Sequence, residues 1–451
     1  MQICPGTCSS VGSNFSQTHI QRPGLLYVPK SLGNGHLADD SVYIAFSMID
    51  GAGTPYPNGM VFGYDAKNVA NTIGPFETSV GGQLGHDGGG IWMGGAGLAF
   101  GPDGPSGSGT KKWIYLTTGN GTYDASSNWG DSFIKLDPDT LAIPSTNGYF
   151  TPNDEQWRGD DVNCNGPNGN DFDFGSGGVM LIPDNELAHT NWGYLAVNGE
   201  KEGDLWFIRR DVPGGFTGST TGCLTTQGGP DVQTYATPGN NIIHNTLAFW
   251  ERPIRGTDTE AHYIYVAPLS SDAIYQFALC ANAGDSNPIC GTTYQTANMT
   301  HATNRKSWGI TPTISAASAT DTDAILWVIE KTDYSCPQSD PAICPNYTNP
   351  HGILYAFDAV NMGSPLYNSS GCPSGRDVIN QATKYSVPTV ANGYVYLGTQ
   401  SPNSSQNKGQ GAFYIFGPNA TGTCYRAESG RDSRGGEQSW NGPHRNLKRS
   451  A

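Results

Sequence analysis

The chain has 451 residues and a formal net charge of −15, which excludes nucleic acid as its main partner, because neutralising phosphates takes a basic face. Charged residues make up 14 % and aromatics 11 %; a disordered chain has many charges and few aromatics, so this one folds. Gly occurs 61 times, about twice the usual share, and no run of about 20 apolar residues is present to cross a membrane as a helix.

Helix-forming runs are absent, and short apolar stretches are cut by turn residues, which reads as all-β. Residues 1–20 hold no clear strand and are read as an irregular N-terminal segment. A three-strand unit then recurs along the chain. In chain order its strands fall at 24–28, 42–46 and 59–66; at 97–100, 113–116 and 131–137; and at 178–182, 194–197 and 203–209. They continue at 246–249, 263–266 and 273–277; at 310–314, 325–329 and 352–359; and at 387–390, 394–397 and 411–416. The third strand tends to end at Asp, as in GMVFGYDA (59–66) and GILYAFDA (352–359). Residues 424–451 lack the repeat, turn basic and read as a disordered tail.

One small sheet cannot bury both of its faces, whereas sheets stacked around an axis bury each against the next. The expected fold is therefore a β-propeller of four-stranded antiparallel blades over residues 21–423, with six blades visible.

The ten cysteines include three close pairs, Cys4/Cys8, Cys280/Cys290 and Cys336/Cys344. Read as disulfides they imply an oxidising compartment, periplasmic or extracellular. The first residues, MQICPGTCSS, have neither a basic stretch nor an apolar run, so they do not read as a signal peptide. The expectation is an exported chain without its true start.

The strand pair VYLGT (395–399) and GILYAFDA (352–359), and the opening KYSVPTVANG (384–393), resemble the repeats of quinoprotein-like propellers. That is the superfamily of the pyrroloquinoline-quinone (PQQ) alcohol dehydrogenases. The segments GIWMGGAG (90–97) and DFGSGG (173–178) are similar to uncharacterised bacterial members with PQQ-like repeats. The resemblance covers residues 20–420 and implies a ring of seven or eight blades, of which six would be present here. It also implies PQQ over a tryptophan floor, beside calcium and a catalytic Asp, under an adjacent Cys-Cys pair. No Cys-Cys dipeptide occurs in this chain, so the resemblance implies a scaffold before it implies PQQ chemistry.

Two groups of residues carry the functional expectations. The segment DDVNCNGPNGNDFD (160–173) is rich in the oxygen donors that calcium requires. Asp161, Asn163 and Asn165 are the candidate metal ligands, with Asp171 or Asp173 beside them; the EF-hand match fails because its twelfth position is Phe172. The alternative is a solvated Asn/Gly turn. The second group precedes the opening strands, which line the channel of a propeller and so bring their leading residues to one mouth. It comprises His19 and Arg22; His86, Asp87 and Trp92; Asp171 and Asp173; His244 and Asn245; Arg305, Lys306 and Trp308; and Lys384 and Tyr385. Asp171, Asp173, His86 and His244 are the candidate catalytic residues. Arg22, Trp92, Arg305, Trp308 and Lys384 are the candidate ligand-binding residues.

The expected function is that of an exported propeller that binds a small ligand, with calcium, at its central channel. Two enzymatic alternatives stand beside it. A PQQ-dependent alcohol or sugar dehydrogenase would use Asp171 or Asp173 as base. A calcium-dependent lactonase or other propeller hydrolase would polarise an ester carbonyl. Ser176 reads as a tight-turn residue, since the strand–elbow–helix setting of a hydrolase nucleophile is missing.

Overall fold

The structure, a computed structural model, describes residues 19–32, 39–48, 58–79, 88–105, 110–155, 171–183, 192–218, 232–239, 242–252, 262–268, 273–280, 287–290, 295–298, 310–330, 352–371, 376–379, 382–383, 385–399 and 412–417. It is all-β. Six antiparallel sheets follow one another along the chain, as blades of a β-propeller.

Blade 1 contains β1 (His19–Ile20), β2 (Leu26–Val28), β3 (Ser41–Met48), β4 (Met60–Asp65) and β5 (Thr72–Glu77). Blade 2 is β6 (Ala99–Pro102), β7 (Lys112–Thr117), β8 (Phe133–Leu136) and β9 (Tyr149–Phe150). Blade 3 is β10 (Val179–Leu181), β11 (Leu195–Gly199), β12 (Asp204–Arg209) and β13 (Val232–Ala236). Blade 4 is β14 (Ala248–Glu251), β15 (His262–Val266), β16 (Ala273–Ala278) and β17 (Gln295–Asn298). Blade 5 is β18 (Thr313–Ser315), β19 (Ile325–Glu330), β20 (Ile353–Asp358) and β21 (Tyr367–Asn368). Blade 6 is β22 (Thr389–Ala391), β23 (Tyr394–Thr399) and β24 (Ala412–Phe416), with no fourth strand among the described residues.

In blade 1 the innermost strand is broken in two, since β1 and β2 both pair with β3. His19 lies opposite Met48 and Leu26 opposite Tyr43. The break therefore carries two more residues than the strand it faces, and such a bulge re-aims the side chains within it. Pro23, which has no N–H to give a ladder, and Arg22 lie in this break.

The recurring Asp at the end of the third strand has a local cause. Its carboxylate accepts the N–H groups of the residues two and three further on. Asp65 takes those of Lys67 (2.8 Å) and Asn68 (3.0 Å). Asp137 takes those of Asp139 (2.8 Å) and Thr140 (3.1 Å). Asp358 takes those of Val360 (2.8 Å) and Asn361 (3.0 Å). An Asx turn of this kind stops the strand and starts the bend. Tyrosines then tie one blade to the next: Tyr43 on β3 donates to Pro138 O (2.7 Å), and Tyr265 on β15 donates to Ala359 O (2.7 Å).

Apolar side chains fill the spaces between sheets. Tyr43 and Val61, Ile114 and Tyr115, and Ala196 and Trp206 join blades 1, 2 and 3. Phe207 and Ile264 join blades 3 and 4, Tyr265 and Leu326 join blades 4 and 5, and Leu354 and Val395 join blades 5 and 6. Among the described residues no such cluster joins blade 6 to blade 1; Phe46, Met60 and Phe62 of blade 1 form a separate one. On β24 the alternation of a strand turns Tyr414 and Phe416 onto the core of blades 5 and 6, and leaves Phe413 and Ile415 exposed.

The Cys280/Cys290 pair is a disulfide. Its neighbours Leu279 and Ile289 form a bridge beside it. Cys4, Cys8, Cys336 and Cys344 lie outside the described residues, as does the tail 424–451. No helix among the described residues is long and apolar enough to cross a membrane.

Candidate functional site

The innermost strands surround a cavity of about 420 Å³. Its wall is mostly small and apolar, with Ala96, Leu98, Val179, Met180, Pro312 and Val387 contributed by blades 2, 3, 5 and 6. Polar side chains gather where these strands begin.

On the blade 2 side, the segment 88–97 is zipped to the segment before β10. Met93 N donates to Gly175 O (3.0 Å) and Gly94 N to Ser176 O (3.0 Å). Ser176 Oγ in turn donates to Ile243 O (2.6 Å), so Ser176 is a joining residue of the turn. Gly94 has no alternative: a Cβ there would run into the Tyr385 ring and the His244 carbonyl. These contacts bring blades 2, 3, 4 and 6 to one place and carry Trp92, Asp173, His244 and Tyr385 with them.

Trp92 is 8 % exposed and Arg22 lies on its face, with the guanidinium carbon 4.2 Å from the ring centroid. The same carbon is 5.5 Å from the Tyr385 ring centroid. A guanidinium stacks well on aromatic faces, and each such contact is worth roughly 0.5–2 kcal/mol depending on exposure. Arg22 has no carboxylate partner among the described residues.

Asp173 is buried at 7 % exposure. It accepts Asn120 N (3.0 Å) and pairs with the Lys201 ammonium (2.5 Å). Lys201 pairs with Asp171 as well, whose side chain is exposed at the rim. Burial pushes the Asp173 carboxyl up, but the Lys201 charge and hydrogen bond, then the Asn120 N–H and His244, hold it below the ordinary value. For Lys201, burial pulls down and the Asp173 and Asp171 charges push up; the net direction is up. At neutral pH the arrangement is an ammonium held between two carboxylates.

Lys201 was not among the residues singled out from sequence. It sits in the turn between β11 and β12, and the pairing of Val179 with Asn198 puts that turn at the end of the sheet where β10 begins. A lone Lys in the acidic turn 200–204 was the available signal. Glu200, Glu202 and Asp204 of this turn bring carboxylate oxygens within 4.8 Å of one another. Glu200 already accepts the N–H groups of Glu202 (2.9 Å) and Asp204 (3.1 Å), so the cluster serves the turn.

Of the residues singled out from sequence, the structure brings Arg22, Trp92, Asp173, His244 and Tyr385 near one another, with Asp171 exposed beside them. His19 is bonded to Asn58 O (3.1 Å) within blade 1. His86, Arg305, Trp308 and Lys384 lie outside the described residues, as do the candidate metal ligands Asp161, Asn163 and Asn165. Two further polar atoms are buried without a hydrogen-bond partner among the described residues, Ser47 Oγ and Asn120 Oδ1.

Neither implied group fits these side chains. At Asp171 and Asp173 the position a calcium ion would take is held by the Lys201 ammonium. One face of Trp92 carries the Arg22 guanidinium, which a quinone stacked there would have to displace.

No protein-family model matches the chain, and no curated protein matches it in sequence. Among solved structures it is similar to a quinohemoprotein alcohol dehydrogenase of Pseudomonas putida HK5, at 12 % identity and a TM-score of 0.36, over 80 % of this chain and 54 % of that one. A quinohemoprotein alcohol dehydrogenase of Comamonas testosteroni gives 11 % and 0.28, over 80 % and 48 %. A phage phi92 endosialidase gives 9 % and 0.30, over 94 % and 61 %. The chain spans about half the length of the two dehydrogenases. No residue role is carried over from any of the three.

Proposed function

We propose that this β-propeller binds a small polar ligand at the mouth of its channel, between Arg22, Trp92, Asp173, Lys201, His244 and Tyr385. One observation carries the reading: side chains from separate blades, with Arg22 and Tyr385 near opposite ends of the chain, meet around the buried Trp92. Aromatic side chains with a few convergent polar groups, next to a channel lined by small apolar residues, are the composition of a small-molecule site. Export is part of the proposal and is supported by the Cys280–Cys290 disulfide.

Among the described side chains Lys201 occupies the space between Asp171 and Asp173 and Arg22 lies on Trp92, which supports binding ahead of the dehydrogenase and hydrolase alternatives. The test is a thermal-shift screen of sugars, alcohols, lactones and carboxylic acids against the full chain, repeated with calcium and with a chelator. Ligands that raise the melting temperature of the native protein and leave Trp92→Ala unmoved are expected. A folded protein that responds to none of them ends the proposal. A response that disappears with chelator would move it to the calcium-dependent alternative.

A further inference from the structure

This inference rests on the channel-mouth reading and names the class of ligand. The Arg22 guanidinium offers five N–H donors in a planar fork, and among the described residues nothing accepts from them. Trp92 and Tyr385 lie against it, which fixes its orientation without using those donors. A held fork with open donors matches a carboxylate or a phosphate.

The neighbours separate these two anions. Asp171 and Asp173 share one ammonium, Lys201, so the adjacent cluster carries a residual negative charge. Like charge nearby penalises a dianion more than a monoanion, which favours a carboxylate.

Two buried polar atoms add the second feature. A Cβ at Gly90 would touch Ser47 Oγ and come 3.1 Å from Trp92 Nε1. A Cβ at Gly119, next to Asn120, would come 2.7 Å from Trp92 Cδ1 and touch Asp173. Ser47 Oγ thus lies beside the indole, while Asn120 lies beside the two carboxylates, its N donating to Asp173 (3.0 Å) and its Nδ2 to Asp171 (3.4 Å). Ser47 Oγ and Asn120 Oδ1, in residues 0 % and 2 % exposed, have no hydrogen-bond partner among the described residues. A buried polar group without a hydrogen bond is costly. Asn120 Oδ1 accepts only, so its partner must donate; a carboxylate cannot, and a hydroxyl can.

We infer that the mouth takes a small hydroxylated carboxylate, a sugar acid in chemical class. Its carboxylate lies on the Arg22 fork, and its hydroxyls lie toward Ser47 and Asn120.

Calorimetric titration of the full chain with D-gluconate, D-glucose and inorganic phosphate tests this. Gluconate is expected to bind at least about 10-fold tighter than glucose, the effect of one charge-assisted hydrogen-bonded pair, and phosphate more weakly than gluconate. Arg22→Gln should abolish the preference, bringing gluconate down to the level of glucose. Arg22→Lys, which keeps the charge and loses the fork, should fall between. Equal binding of gluconate and glucose, unmoved by Arg22→Gln but lost in Trp92→Ala, overturns the acid and leaves the mouth as a ligand site. Tighter binding of phosphate overturns the carboxylate class. Absence of heat with all three in a folded sample overturns this inference, while the wider screen decides the mouth itself.

Discussion

Arg22 and Arg210 sit at opposite ends of the blades, and the protein treats them in opposite ways. Arg210 is 1 % exposed and its donors end on backbone carbonyls: Nε on Tyr194 O (3.0 Å), Nη2 on Ile182 O (3.0 Å) and Nη1 on Pro102 O. Its own carbonyl accepts from Lys135 Nζ (2.9 Å), which pairs with Asp103 (2.8 Å). Arg210 thereby clamps blade 2 to blade 3, and nothing about it remains to be bound. Among the described residues Arg22 is held by two ring faces, and no acceptor meets its donors. Two cations of one type thus mark a structural end and the end proposed to bind, and the criterion is the number of acceptors already in place.

The sharpest way to break this comparison is Arg210→Met. It removes three hydrogen bonds from a buried guanidinium, leaves the Ile182 carbonyl without that donor and opens an empty volume, and should cost about 3–5 kcal/mol. Urea unfolding measures it; a cost below about 1 kcal/mol would remove the distinction between the two ends. Lys201→Met follows, at about 2–4 kcal/mol at pH 7, and its signature is a sign. In the native protein the lowered Asp173 carboxyl adds stability above the ordinary carboxylate value, and that stability is lost as pH falls through the folded value. Without Lys201, burial dominates and raises the carboxyl. Stability should then fall as pH rises from about 4 to 7. Unfolding midpoints across that window show whether the slope reverses.

The three inner strands of each blade were legible because alternation and the Asx turns at Asp65, Asp137 and Asp358 repeat in both sequence and structure. The outer strands were not. β9 and β21 are two residues long, and β17 reads QTAN, without an apolar pattern. Strands this short, or this poor in apolar residues, are set by pairing with their neighbour, which composition does not announce. Arg22, Trp92, Asp173, His244 and Tyr385 were legible from topology alone, since the starts of inner strands must meet. Lys201 was missed because it comes from a hairpin turn, and Ser47 because it sits inside a middle strand.

Smaller effects bear on the mouth itself. Gly94→Ala places a methyl against Tyr385 and the His244 carbonyl, and overpacking of this kind costs about 1–3 kcal/mol. It should also displace Tyr385, whose backbone already sits at φ +65°, a region that bulky residues rarely adopt. Ligand response is therefore expected to drop even where the fold survives.

Arg22→Ala is the smallest perturbation of stability and the most informative. If the guanidinium served the fold as Arg210 does, its removal would cost several kcal/mol. Stacking on two rings predicts a loss of about 1–2 kcal/mol at a partly buried position, with the melting temperature little changed. The same variant should abolish the preference for an acid over its neutral counterpart. Near-native stability together with lost discrimination is the outcome that separates a binding arginine from a structural one. A large loss of stability with discrimination retained would instead place both arginines in the framework.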